Sequence, residues 1–337
     1  MKHTRSLFRW VLNLCLVFLM HLVQAQESVV QYLDVGTKNA TVLSESYLYP
    51  YASMIDATLL GGWNMSPRVQ RSGKFTVHVF VNQGFRESGD NLMNIGDKID
   101  KGQLNGITLK DPSQINAATA TFKLKSGQGR PVMIYQGNEV ATPNGADISA
   151  LRLPSMSFSI GIPSGTEISA KFTPPMDYPD LGKTLQWGLG VKHSIKNYLA
   201  LLRNAPYLEA AVMGTYANFR AESTVSYHDQ TRQSLVVNGS ALSGRFIMGL
   251  HFNKADIYGS VGYGSRKSDF TLSGTYEDVP DEGGGVISVS DPVRNAYDFS
   301  GMEYEAGIQL RLYFLNLQVG YAFSNYSMVS MGAGISF

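Results

Sequence analysis

The carboxyl-terminal stretch from residue 303 to residue 337 reads EYEAGIQLRLYFLNLQVGYAFSNYSMVSMGAGISF, and its hydrophobicity alternates with a period of two. Within residues 315–323, the odd positions hold Leu, Val, Tyr or Phe, and the even positions hold Asn, Gln, Gly or Ala. A period of two places alternate side chains on opposite faces of a β-strand. The stretch therefore predicts antiparallel strands that have one apolar face and one polar face.

Similar alternation recurs upstream, in residues 155–162, 246–253 and 256–263. A soluble β-sandwich also alternates, so the period alone does not identify the architecture. Three features favour a barrel in lipid: alternation up to a final Phe337, aromatic residues at strand ends, and connections that are alternately short and long. We predict an all-β fold, a transmembrane antiparallel barrel of about 12–14 strands over residues 26–337, in contact with the lipid of the outer membrane. The strand ending in Phe337 is the expected signal for the outer-membrane insertion machinery.

The first 25 residues have the pattern of a secretory signal peptide. Basic residues at 2, 5 and 9 precede an apolar run over 11–23, and Ala25 stands before the expected cleavage point. This run is shorter than the roughly 20 residues that a spanning helix needs, although an uncleaved anchor is the alternative. The single cysteine, Cys15, falls inside this leader, so the mature chain is expected to have neither a disulfide nor a cysteine-ligated metal.

Charge gives no indication of a nucleic-acid partner. The leader contains three of the 28 basic residues and none of the 27 acidic ones, so its removal changes the formal charge from +1 to −2. Nucleic-acid-binding domains are typically basic, with lysine and arginine clustered on one face. We therefore predict no nucleic-acid binding.

Two regions lack clean alternation. Tracing the strands back from a periplasmic Phe337 places residues 88–153 outside the cell, and we predict an extracellular insert there. Residues 26–73 precede the first clear strand, and we expect this segment to enter the lumen. The alternating segments number about 13, whereas bacterial barrels normally have an even count, so either Ile55–Trp63 is not a barrel strand or Val132–Gln136 adds one. A short amphipathic helix is predicted within residues 192–203.

The polar faces of the predicted strands supply candidate lumen residues. They are Glu303, Glu305, Gln309 and Arg311 from one segment and His251 from another. If these side chains face a conduit, they would set its selectivity. In the alternative, paired side chains fill the lumen of a small barrel.

Other clusters of charged residues also have two interpretations. His193 with Lys192 and Lys196 would suit an anionic headgroup or a carboxylate, or would simply form a solvated turn. Acidic side chains at 278, 281 and 282 could bind calcium, but they lack the spacing of a known calcium loop and favour a solvated loop. The sequence has no nucleophile elbow, zincin motif or phosphate-binding loop. We predict that the protein is not an enzyme and has no catalytic, cofactor-binding or metal-binding residues.

Three blocks of sequence carry a resemblance to a known family. They read YLYPYASMIDATLLGGWN (47–64), LRLPSMSFSIGIPSGTEISAKFTPP (151–175) and WGLGVKHSIKNYLALLRNAPYLEAAV (187–212). These blocks resemble a family of uncharacterised outer-membrane β-barrels of Bacteroidota, classed as a domain of unknown function. Because the family has no assigned activity, the resemblance implies no site residues. This family is similar, more distantly, to FadL-type transporters of hydrophobic compounds. That similarity implies passive uptake or binding of a small hydrophobic molecule. The alternative is a structural or partner-binding barrel whose insert engages a surface protein or glycan.

Overall fold

The computed structural model describes residues 29–178 and 182–337, so the predicted signal peptide lies outside the described residues. A 3-10 helix, Val29–Val35, leads into the long helix α1, Thr37–Leu60. Two short α-helices follow, α2 (Ile95–Asp100) and α3 (Ala200–Arg203), with 3-10 turns at Ser88–Asp90 and Lys196–Tyr198. The strands are β1 (Phe75–Phe85), β2 (Leu92–Asn94), β3 (Ile107–Leu109), β4 (Asn116–Ala118), β5 (Val132–Tyr135), β6 (Asn138–Ala141), β7 (Ala150–Ile162), β8 (Thr166–Tyr178), β9 (Gly182–Ser194), β10 (Leu208–Tyr227), β11 (Gln230–His251), β12 (Ala255–Ser273), β13 (Thr275–Pro280), β14 (Val286–Ser290), β15 (Val293–Leu312), β16 (Leu315–Phe323) and β17 (Ser327–Ser336).

Ten of these strands close into an antiparallel barrel, which confirms the predicted fold class. Neighbours around the ring are β1, β17, β16, β15, β12, β11, β10, β9, β8 and β7, and β7 pairs with β1 to close it. The predicted count of 12–14 strands was too high. Residues 55–60 belong to α1 rather than to a strand, and β5 pairs with β3 and β6 in a small sheet outside the barrel. The segment Ile55–Trp63 is therefore not a barrel strand, and Val132–Gln136 does not add one to the ring.

The outer surface of the barrel carries an apolar belt. Outward-facing side chains there are large and exposed, among them Val79, Phe158, Leu189, Leu242, Ile308 and Val319. A soluble sheet does not expose a continuous ring of such side chains, whereas a barrel in lipid must. The ten strands therefore span a membrane. Across residues 29–178 and 182–337, no helix is both long enough and apolar enough to do so.

The barrel wall is not equally tall on all sides. Strands β10, β11, β12 and β15 have 19 to 22 residues, whereas β16, β17 and β1 have 9 to 11. Beyond the apolar belt, the outward side chains of the long strands become polar or charged, as at Arg220, Asn238, Lys267 and Asp298. We call this protruding part of the four long strands the wall. It rises on one side of the barrel, beyond the ends of the shorter strands.

The two ends of the barrel differ in their connections. One end, called the Phe337 end, has the start of β1, the end of β17 and mostly short turns. The other, called the insert end, has the 64-residue connection 86–149, called the insert, which contains β2–β6 and α2. The prediction had extended the insert to residue 153, but residues 150–153 already pair with β1 as part of β7. At the Phe337 end, the helix predicted within 192–203 is shorter than expected, because residues 192–194 complete β9.

Candidate functional site

Helix α1 fills the interior of the barrel. It begins at the insert end, where Asn39 exchanges hydrogen bonds with the backbone of Asn105, and it packs against β15, β1, β7, β11, β12 and β17. All eleven residues from Pro50 to Leu60 are buried. A helix that is buried on every side needs apolar or paired side chains all round. We call residues 37–64 the plug.

A chain of buried ion pairs joins the plug to the barrel. Arg266 lies between two carboxylates, 2.7 Å from Asp56 on the plug and 2.6 Å from Glu303 on β15. Glu303 also forms an ion pair with Arg245 at 3.0 Å, and Arg245 forms a second ion pair with Glu305 at 3.0 Å. These five side chains are at most 4% exposed. Buried charges of this kind persist only when each has partners of the opposite sign.

The carboxyl end of the plug is held by donors on the inner face of the barrel. Arg245 Nη2 donates to the carbonyl of Leu60 at 3.0 Å, and Lys171 Nζ donates to the carbonyl of Gly61 at 2.8 Å. The hydroxyl of Tyr258 donates to the carbonyl of Asn64 at 2.8 Å. The last carbonyls of a helix have no partner within the helix and carry partial negative charge, so cationic donors stabilise them. The barrel therefore fixes the helix end in place.

A glycine lets the plug approach β1 closely. A side chain at Gly84 of β1 would place its Cβ 2.7 Å from the carbonyl oxygen of Met54. Such a contact cannot be relieved by rotating a flexible side chain, because the clash is with backbone. Gly84 thus sets the distance between β1 and the plug.

The structure separates the five lumen residues of the sequence analysis into two groups. Glu303 and Glu305 lie in the ion-pair chain, beside the carboxyl-terminal part of the plug. Gln309, Arg311 and His251 line a cavity at the Phe337 end. Whether any of them sets the selectivity of a conduit stays a prediction.

Sequence reasoning missed four partners of this network: Arg245, Arg266, Asp56 and Lys171. Arg245 on β11 has the same parity as His251, which had been placed on the inward face. Likewise, Arg266 on β12 has the parity of Asp256. Extending the alternation along these strands would have found both arginines. Asp56 carried no such signal, because the plug has no periodic polar face.

The two other candidate clusters do not form single sites. Lys192 points inward and pairs with Glu167 at 3.2 Å, whereas His193 contacts Thr166 and stacks on Tyr198. At the insert end, Glu282 pairs with Lys38 at 2.8 Å, on the surface. Burial, with the nearby charges of Glu282 and Asp281, raises the pKa of the Tyr135 hydroxyl. Within the described part of the chain, no group of three or more His, Cys, Asp or Glu side chains is placed to hold a metal ion.

Comparison with solved structures finds outer-membrane barrels. The attachment invasion locus protein Ail of Yersinia pestis has 10% identity over 79% of this chain and 99% of its own, with a TM-score of 0.28. The translocator domain of the autotransporter NalP from Neisseria meningitidis has 9% identity over 90% and 98%, with a TM-score of 0.33. Neisserial surface protein A has 9% identity over 79% and 96%, with a TM-score of 0.24. Similarity at this level says nothing about activity.

Curated proteins give no match. A family model described as "Family of unknown function (DUF6588)" matches residues 1–337. The resemblances to Bacteroidota proteins and to FadL-type transporters stay predictions. The closed ring of antiparallel strands and its apolar belt place the protein in the outer membrane. The chain belongs to this family of unknown function, DUF6588, over its whole length.

Proposed function

We propose that the protein is a closed outer-membrane barrel that presents a folded head to a partner outside the cell. The head consists of the insert, the β13–β14 hairpin and the wall. The observation that carries the proposal is the plug, which occupies the lumen and is bonded to the inner face of the barrel by buried ion pairs and a hydrogen bond. A barrel filled in this way is suited to holding and displaying a surface rather than to passing solutes freely.

Hydrogen bonds connect the head to the plug, and this connection supports the proposal that the head is a rigid platform. The backbone N–H of Ala120 in the insert donates to the carbonyl of Tyr47 at 2.9 Å, and the Tyr47 hydroxyl donates to the carbonyl of Asn144 at 3.2 Å. On the wall side, the Tyr297 hydroxyl donates to the carbonyl of Glu45 at 2.7 Å. The amino-terminal half of the plug, at Glu45 and Tyr47, therefore joins the insert to the wall.

Planar-bilayer conductance tests whether the lumen is closed. We expect purified wild-type protein to give no steady conductance. Gly84→Leu should open the barrel, because its side chain would collide with the plug backbone at Met54. Gly214→Leu is the matched control, since a Cβ there meets nothing within 4 Å and the barrel should stay closed. Steady ohmic conductance of the wild type would contradict the proposal.

Cross-linking in living cells tests partner binding. A photo-reactive amino acid replaces Lys110, an exposed residue of the insert, or Arg203, an exposed residue of α3 at the Phe337 end. We expect a specific adduct from position 110 and none of that size from position 203. Absence of any adduct from position 110 and from further exposed positions of the head would argue against a partner-binding surface.

A second candidate function is uptake or binding of a small hydrophobic molecule. It is favoured by an aromatic cluster where the wall has a free edge. Tyr49 of the plug lies 6.3 Å from Tyr297 and 5.9 Å from Phe299, between ring centroids, and is 39% exposed. Pairing between β15 and β16 stops at Tyr304, so the aromatic cluster lies beside an unpaired stretch of β15.

Fatty-acid binding distinguishes this second candidate from the first. A fluorescent long-chain fatty acid is titrated into wild-type protein, Tyr49→Ala and the control Tyr313→Ala, whose side chain is fully exposed at a turn. Saturable binding that only Tyr49→Ala weakens would support a hydrophobic ligand. Equal binding by all three proteins, or none, would leave the display function as the better account.

A further inference from the structure

We propose that a cavity at the Phe337 end is a binding site for a phosphate-bearing anion. The cavity has a volume of about 350 Å³ and lies between residues 62–74, which comprise the end of the plug and the segment after it, and the inner face of the barrel. Basic side chains dominate its charged lining: Arg68, Arg71, Lys74, Lys192 and Arg311, against one acidic side chain, Glu167. The site is separate from the head and from the aromatic cluster.

Only two of the five basic groups are neutralised by nearby carboxylates. Lys192 pairs with Glu167 at 3.2 Å, and Arg311 pairs with Asp256, which lies beside the cavity. Among residues 29–178 and 182–337, Arg68, Arg71 and Lys74 form no ion pair. Three positive charges thus face one cavity without counter-ions from the protein, which is the charge that a phosphate dianion or a phosphodiester would complement.

The hydrogen bonds of His251 orient Arg68. Its Nη1 lies 2.7 Å from His251 Nε2, and the other ring nitrogen of His251 lies 2.8 Å from Asp256 Oδ1. Arginine can only donate, so Nε2 accepts from Arg68. Asp256 Oδ1 at 2.8 Å is closer to Nδ1 than Arg311 Nη2 at 3.3 Å, so we assign the ring proton to Nδ1, toward Asp256. This arrangement holds one edge of the guanidinium and leaves its remaining N–H groups available for a bidentate contact with phosphate.

An unpartnered buried group also points to a ligand. His78 on β1 is 4% exposed and lines the cavity, yet its Nε2 has no hydrogen-bond partner among the described residues. Buried polar atoms are nearly always paired in folded proteins, by protein, water or ligand. Ser157, the cross-strand neighbour of His78, also lines the cavity and supplies a hydroxyl. Because Arg68, His78 and Ser157 line the same cavity, a phosphate bound by Arg68 would share that cavity with the unpartnered His78 nitrogen.

The size and polarity of the cavity define the class of ligand. With a share of about 30 Å³ per water, 350 Å³ holds roughly ten waters, which leaves room for a phosphate with a small polar remainder. Exposed Arg71 and Lys74 at the mouth would attract the anion. The phosphate could come from a soluble phosphate ester or from the headgroup of a phospholipid in the facing leaflet.

Two binding assays on the full-length protein test the site and distinguish these sources. The soluble arm titrates glycerol 3-phosphate into protein in non-ionic detergent, by calorimetry. The lipid arm measures retention of phosphatidylglycerol against phosphatidylcholine after purification from mixed nanodiscs, by mass spectrometry. The variants are Arg68→Gln and Arg71→Gln, and the control is Arg203→Gln, which makes the same charge change at the same end but outside the cavity. Heat-dependent gel mobility confirms that each variant is folded.

We expect at least a fivefold loss of affinity or of selective retention in Arg68→Gln and Arg71→Gln, and no change in Arg203→Gln. An effect confined to the soluble arm identifies a free phosphate ester, and one confined to the lipid arm identifies a headgroup. If neither probe binds, or if Arg203→Gln weakens binding as much as the cavity variants, the proposed site does not exist.

Discussion

Arg266 is a buried side chain whose loss should destabilise the barrel strongly. It is 1% exposed and is the cation that pairs with Asp56 of the plug. Removing one partner of a buried ion pair typically costs about 3–5 kcal/mol, because the other charge is left without a partner. We expect Arg266→Met to lower the free energy of unfolding by that amount, measured by urea titration of tryptophan fluorescence in lipid.

Two further variants show whether the loss comes from the ion pair. Arg294→Met removes one partner of an exposed pair with Asp269 and should change the free energy of unfolding by less than about 1 kcal/mol. Adding Asp56→Asn to Arg266→Met should recover part of the stability, since the unpaired carboxylate disappears. If the two substitutions are additive, Asp56 and Arg266 are not coupled and the plug is held by other contacts.

Single residues also show how far alternation can be used. The inward position of Glu303 and Glu305 follows from parity in a strand whose other face is apolar. That Glu303 pairs with Arg266 does not follow, because the two residues lie 37 positions apart on strands separated by a hairpin. Their pairing depends on the register between β12 and β15, which one sequence does not reveal.

At the scale of elements, the free edge of β15 makes a prediction about backbone exchange. Between Val293 and Met302, this strand pairs with β12 on one side only, whereas from Tyr304 it pairs on both sides. Every second backbone N–H of residues 293–302 therefore has no strand partner. We expect these amides to exchange with deuterium much faster than those of residues 304–310, by mass spectrometry with residue-level fragmentation.

The neighbouring strand supplies the control for this measurement. Residues 265–271 of β12 lie at the same height and pair with β11 and β15 on their two sides. They should be protected along their length. Uniform protection of both segments would mean that another part of the chain or a ligand covers the edge of β15.

The plug is the element that sequence reasoning described least well. Helical prediction relies on an apolar stripe with a period of 3.6, and that stripe exists only when one face of the helix meets water. The barrel surrounds α1, so apolar and small residues occur at nearly every position from 50 to 60. Without a stripe, the apolar run at residues 55–63 does not distinguish a helix from a strand. Barrel strands kept their pattern because lipid and lumen are chemically different on their two faces.

For the whole molecule, the sequence predicted the barrel but overestimated its number of strands. Each closed-barrel strand has an outward apolar face, and that feature was read correctly from Phe337 backwards. The number of strands was overestimated, because the plug and the insert contain apolar segments that do not belong to the ring. Alternation shows that a strand exists without showing whether it belongs to the membrane ring or to the head.

The orientation of the molecule gives the last prediction. If the Phe337 end faces the periplasm, the insert and the start of the plug lie outside the cell. Cys15, the only cysteine, falls in the predicted leader, so introduced cysteines would be labelled without background. In intact cells, a membrane-impermeant maleimide should label Lys110→Cys in the insert and not Arg203→Cys in α3. Arg203→Cys should react once the outer membrane is permeabilised. The opposite pattern would place the head in the periplasm. In that orientation, the carboxyl end of the plug, rather than its amino end, would face the outside of the cell.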